Sequence, residues 1–231
     1  SDYFRLGHTA AEFLALFVRF LDRIYEGTFS MLKSCEVDPV HPPTAPQTVV
    51  SIHGVPFGSQ GNLFCITGGE GSGKSHYAGA LIAGALSNNP SSDILGTTVT
   101  QSDMHHAVLL YDTEQSLPQL YKNIAVILRR AGIDVPPKSF KGYCLSCISR
   151  RDRLQAIIQS MDKYYYQYGG IHLVVIDGIA DLIRSVNDES ESVELVEELY
   201  RLAGIYNTCI VCVLHLVPSG MKIRGHLGSE I

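Results

Sequence analysis

No stretch of the chain approaches the roughly 18 consecutive apolar residues that a membrane-spanning helix needs, so no membrane partner is expected. Positive charge is scarce too: 18 Lys and Arg stand against 23 Asp and Glu, a net charge of −5 in 231 residues. That excludes coating nucleic acid by bulk charge while leaving room for a local basic loop. There is no internal repeat and no low-complexity tract. The apolar N-terminal stretch is interrupted by Asp2, Arg5, Glu12 and Arg19, which is wrong for a signal peptide. The expected location is the cytoplasm. Cysteine is sparse, at positions 35, 65, 144, 147, 209 and 212, although two Cys-x-x-Cys pairs are among them. Two such pairs can build a zinc site. Here Cys209 and Cys212 fall in an apolar run that reads as a buried strand, and residues three apart on a strand face opposite sides. Cys144 and Cys147 follow the strand-like Phe140-Lys141-Gly142-Tyr143. Both pairs are expected to be small buried thiols.

What is present suits a single α/β core: 45% of residues are hydrophobic and 18% charged. Residues 1–33 read as an N-terminal helical segment, with Phe13, Phe17, Phe20 or Leu21, and Ile24 at helical spacing from about residue 9 to 27. Residues 34–48 form a linker containing Pro39, Pro42, Pro43 and Pro46. From Val49 onward strands are expected to alternate with helices. Strands are placed at Leu63 to Thr67, Ala107 to Asp112, Phe140 to Cys144, Ile171 to Asp177 and Cys209 to His215. Helices are placed at Ser75 to Leu86 and near Leu117 to Ala131, Asp152 to Tyr168 and Ser192 to Asn207. Near-continuous apolar strands of this kind are buried on both faces, which predicts a mainly parallel sheet covered by helices on both sides, over residues 49–231.

The strongest motif is Gly68-Gly69-Glu70-Gly71-Ser72-Gly73-Lys74-Ser75, which matches G-x-x-x-x-G-K-[ST] between an apolar strand and a helix. A chance match in a chain of this length is on the order of 1%. Glycines let successive backbone N–H groups turn inward toward phosphate oxygens, and the following helix, from Ser75, adds its positive end, so Gly68 to Ser75 together with His76 are the expected ATP-binding residues. Lys74 is expected to reach the β- and γ-phosphates of ATP, and Ser75 to offer its hydroxyl to Mg²⁺. Leu173-Val174-Val175-Ile176-Asp177 delivers an acid to the carboxyl edge of the sheet, where open α/β sheets bind ligands. Asp177 is expected to hold Mg²⁺ there, through water.

Gly178, not an acid, follows Asp177, so a base for hydrolysis must come from elsewhere. The candidate lies in Val108-Leu109-Leu110-Tyr111-Asp112-Thr113-Glu114, a second apolar strand ending in acids. Glu114 could orient and deprotonate water, or it could cap the next helix. Asp112 is either a metal-oriented acid or a supporting one. The strand Cys209 to Leu214 brings His215 to the same edge, where a polar group can sense a γ-phosphate. The loop from Val217 to Ile231 carries Lys222, Arg224 and His226 among glycines, and is the one locally basic stretch.

Taken in order, these pieces resemble the RecA/DnaB-like P-loop ATPases. The segments Tyr111-Asp112-Thr113-Glu114-Gln115, Val175-Ile176-Asp177-Gly178-Ile179-Ala180-Asp181-Leu182 and Arg224-Gly225-His226-Leu227-Gly228-Ser229-Glu230 resemble a narrower group. It comprises the replicative-helicase-like ATPases of bacterial mobile elements, related to the plasmid RepA helicases. The resemblance covers roughly residues 49 to 231. It implies a RecA-like fold and Mg²⁺-dependent ATP hydrolysis acting on DNA, as a helicase, a translocase or a factor in replication and mobilisation. It also implies a homo-oligomer, such as a hexamer-like ring, and single-stranded or duplex DNA as partner. By the same resemblance Glu114 aligns with the catalytic glutamate and His215 with the polar γ-phosphate sensor. The segment from Arg224 to Glu230 aligns with the loop region that faces DNA, and Lys222, Arg224 and His226 are the candidate contacts to DNA or to an adjacent subunit. The family domain normally runs on through further strands, with trans-acting arginine or lysine fingers near or beyond this point, so a domain shortened at its C-terminal side is expected. Two alternatives stand beside this one: an ATP-gated assembly module with little turnover, and a P-loop small-molecule kinase.

Overall fold

The computed structural model describes residues 10–87, 94–101, 105–185 and 188–215, in two units, Ser1–Ala45 and Pro46–Ile231. The first unit is built on α1 (Ala10–Ser34), which runs on beyond residue 27 through Phe29 and Leu32. Its stripe of Phe13, Phe17, Phe20 and Ile24 is exposed. Among the described residues no helix is long and apolar enough to cross a membrane.

The second unit is α/β, with a five-stranded parallel sheet flanked by helices. Its strands are β3 (Asn62–Gly68), β5 (Ala107–Asp112), β6 (Phe140–Cys144), β7 (Ile171–Asp177) and β8 (Cys209–His215), in the spatial order β3-β8-β7-β5-β6. Period-two alternation divides each strand between two cores. On β8, Cys209, Val211 and Val213 face the layer of α2 (Lys74–Leu86) and α3 (Leu117–Ala131). Ile210, Cys212 and Leu214 face the layer of α4 (Arg150–Tyr168) and α5 (Glu189–Ile205). Cys209 and Cys212 are thus buried on opposite faces, as expected from their spacing, whereas Cys147 is exposed and Cys144 half-buried. The expectation that both pairs are buried therefore fails for Cys147, because it sits in the turn after β6 and not on a strand.

Strict alternation of strands and helices from Val49 onward also fails. Before β3 the chain makes a hairpin of β1 (Thr48–Ile52) and β2 (Val55–Ser59), and β4 (Thr97–Val99) pairs with β1 to give a three-stranded antiparallel sheet. Two helices begin earlier than expected, at polar residues ahead of the apolar period. Ser149 is the N-cap of α4, and Asp188 caps α5 by accepting from the Glu191 amide.

Candidate active site

Parallel strands in register bring their carboxyl ends to one edge. Gly68 pairs with His215 across β3 and β8, and Asp112 with Asp177 across β5 and β7. Four of the segments singled out in the sequence therefore meet: the Gly68–Ser75 loop, Glu114, Asp177 and His215. A cleft of about 300 Å³ opens there, lined by residues 71–76, by Gln115, Gln119 and Asn123, and by His215. Glu70 and His76 are both exposed, and His76 forms part of the cleft wall. Lys222, Arg224 and His226 lie outside the described residues.

The loop folds tightly because Gly73, at φ 88°, is the N-cap of α2 in a left-handed conformation that a side chain rarely adopts. Lys74 is buried, and its Nζ donates to the carbonyls of Gly68 at 2.9 Å and Gly69 at 2.7 Å. Those bonds satisfy the ammonium at the mouth of the loop. The next residue, Ser75, hydrogen-bonds the Asp177 carboxylate. Burial pushes the Asp177 carboxyl up, opposed by the Ser75 hydrogen bond and the nearby His215 and Lys74. A hydroxyl and a carboxylate side by side, backed by a buried strand, are the oxygen donors a hard divalent cation takes. Ser75 and Asp177 therefore fit Mg²⁺.

The Asp112-Thr113-Glu114 segment divides its work residue by residue. Asp112 Oδ1 accepts from the amides of Glu114 at 3.0 Å and Gln115 at 2.7 Å, closing a turn on its own chain. Burial raises the Asp112 carboxyl to about 6, with the Asp177 and Glu114 charges adding to the rise. Of the two roles left open for Asp112, the structure supports the supporting one. Thr113 pins this turn to the neighbouring strand, its hydroxyl donating to the carbonyls of Asp177 and Gly178. Glu114 emerges next, and its Oε2 accepts from His215 Nε2 at 2.8 Å. It does not cap α3, whose N-cap is Ser116.

Two features escaped the sequence reasoning. Gly178 sits at φ +90°, and a Cβ there would come 2.2 Å from Thr113 Oγ1 and 2.7 Å from Glu114 Cγ. The absence of an acid after Asp177 thus has a steric cause, since the glycine leaves room for the acid of the adjacent strand. Gln115, Gln119 and Asn123 form a polar wall, with Asn123 donating to Gln115 at 2.6 Å and Gln119 to Asn123 at 3.2 Å. Gln119 and Asn123 share one face of α3 at a spacing of four, and Gln115 just before its N-cap continues that polar row, which is the signal that could have revealed them. No family model matches the chain, and none of the curated proteins compared with it matches.

Proposed function

We propose that this chain is a RecA-like P-loop ATPase that hydrolyses ATP with Mg²⁺. The observation that carries the proposal is the position of Glu114, a carboxylate held by an Asp112-closed turn beside the phosphate loop and tethered to His215. Lys74 exchanges the Gly68 and Gly69 carbonyls for phosphate oxygens, and the loop amides cradle the rest. Ser75 and Asp177 would hold the cation, whose chemistry there would be to neutralise charge on the phosphoryl oxygens. Glu114 orients the attacking water and takes its proton.

His215 connects nucleotide to base. Its contact with Glu114 is part-exposed, at 29% and 35% of the two side chains, so it is worth at most about 1 kcal/mol. A γ-phosphate offers the imidazole a more highly charged acceptor, and the exchange frees Glu114 to face water. DNA as the polymer acted on is supported by the sequence resemblance, through the basic loop bearing Lys222, Arg224 and His226. That resemblance also supports assembly into a homo-oligomer.

The test is Glu114→Gln. ATP should remain bound, as measured by calorimetry, while turnover falls by about 10²–10⁴-fold, the share of a positioned base. Turnover at the parental rate would return Glu114 to a structural role. A variant that no longer binds ATP would mean that the carboxylate serves the nucleotide and not the water.

A further inference from the structure

Of the six thiols, three are packed into the sheet. Burial pushes Cys65 and Cys209 up to about 12 and Cys212 well above the ordinary thiol range, which makes them inert. Cys144 and Cys147 differ. They lie three residues apart where β6 turns into α4, with Cys147 exposed and its Sγ 3.5 Å from the carbonyl oxygen of Cys144. A turn closes here through Ile148 N donating to Leu145 O at 3.0 Å. That turn spans Leu145 to Ile148, so Cys147 lies inside it and Cys144 stands just before it, with the Cys147 sulfur set against the backbone that carries the other thiol.

This turn is tied to the segment that presents Glu114. Leu145 N donates to the carbonyl of Asp112 at 2.7 Å, and the Cys144 thiol donates to the carbonyl of Gln115 at 3.4 Å. Cys144 also lies 3.0 Å from Ser146 Oγ. The two protein contacts to residues 112 and 115 bracket Glu114. Any change at the Cys144 sulfur is therefore felt one residue from the acid.

We propose that Cys144 and Cys147 form a redox-active dithiol that a low-molecular-weight disulfide oxidises to an intramolecular disulfide, loosening the Glu114 segment. The exposed Cys147 thiolate, its proton lost to water, attacks one sulfur of the small disulfide and expels the other half as a thiolate. Cys144, likewise deprotonated, then attacks Cys147 Sγ in the mixed disulfide and expels the second half. Two electrons pass from the pair to the small disulfide, which leaves as two thiols once each half takes up a proton. Cys144 loses its S–H, so the Gln115 carbonyl loses that donor. The consequence for catalysis rests on the ATPase function proposed above, whereas the disulfide and the loosening do not.

The full chain is equilibrated in oxidised and reduced glutathione, and non-reducing peptide mapping reports the linkages. A Cys144–Cys147 bond is expected in the parent, and a stable Cys147–glutathione adduct in Cys144→Ser. An adduct at Cys147 of the parent, with no internal bond, overturns the proposal. Hydrogen exchange supplies a second measure: on oxidation the amides of Glu114 and Gln115 should exchange faster while those within β5 do not change. Unchanged exchange at both residues overturns the coupling. Oxidation is then expected to lower ATP hydrolysis by on the order of tenfold, less than removal of the base would, with recovery in thiol. If the reduced chain does not hydrolyse ATP, the function proposed above fails while mapping and exchange still decide this one.

Discussion

Strands β5 and β7 lie side by side, are buried along their whole length, and end in aspartates that pair in register. The carboxylates nevertheless work in different directions. Asp112 turns back on its own chain and closes the turn that carries Glu114, while Asp177 reaches across to Ser75 of the glycine-rich loop. The difference lies in the residues that follow. After Asp112 come a threonine that binds the neighbouring strand and a glutamate that enters the site. After Asp177 comes a glycine whose missing side chain leaves that glutamate its space. In the proposed ATPase one strand would supply the base and the other the metal acid, each incomplete without its neighbour.

The sharpest way to break this comparison is to neutralise each aspartate in turn. Asp177→Asn should remove a carboxylate that supports several kcal/mol of charge stabilisation through the cation, lowering turnover on the order of 10²-fold or more. Titrating Mg²⁺ against the hydrolysis rate should show the requirement moving to higher concentration. An equal loss in Asp112→Asn, with the same shift in Mg²⁺ dependence, would make the two aspartates joint metal ligands and abolish the distinction.

Gly178→Ala tests the space shared by the two strands. The added methyl meets Thr113 and Glu114 at a φ that disfavours any side chain, so about 1–3 kcal/mol of stability should be lost. Displacing Glu114 by an ångström costs on the order of 10²-fold in turnover. If the glycine acts through Glu114, adding Gly178→Ala to Glu114→Gln should lower turnover little further, because the two losses are not independent. Additive losses would assign Gly178 a role separate from the base.

Much of this architecture can be read along the chain. The spans of β5, β6, β7 and β8 coincide with the expected ones; β5, β7 and β8 do so because strands buried on both faces are near-continuous apolar runs, whereas β6 is an edge strand of mixed burial. The antiparallel sheet was not legible. β2 begins Val55-Pro56-Phe57, three exposed residues without alternating burial, and β4 has only three residues and pairs with a strand some 45 positions earlier. Pairing of that range is set by tertiary contacts, which no local pattern announces. At the site, residue types and strand ends marked Lys74, Ser75, Asp177 and Glu114. The role of Asp112 was not marked, since a strand-end acid looks the same whether it points to a cation or to its own backbone. The side-chain direction comes from the turn that follows.

The smallest effect tests Asp112 by itself, without nucleotide or divalent cation. Its carboxyl titrates near 6 in the folded chain against an ordinary 3.8, mainly because it is buried and only 1% exposed. Between those two values the folded chain keeps a proton that the unfolded chain has released. The contribution of this group to stability therefore falls as pH rises from about 4 to about 6, and above 6 the ionised group is carried at a cost. The gap is worth on the order of 3 kcal/mol as an upper limit. In Asp112→Asn the amide oxygen can still accept from Glu114 and Gln115, but no charge is buried. The variant should be more stable than the parent at pH 7 in urea unfolding, by on the order of 1–3 kcal/mol, with the advantage shrinking through pH 5 and vanishing below pH 4. Comparing variant with parent at each pH removes the titration of every other group they share. A constant difference across that range would mean that Asp112 is not carrying a buried charge. A variant less stable than the parent at pH 7 would mean that the ionised carboxylate holds the turn more strongly than its burial costs, and that the contrast with Asp177 is one of direction alone.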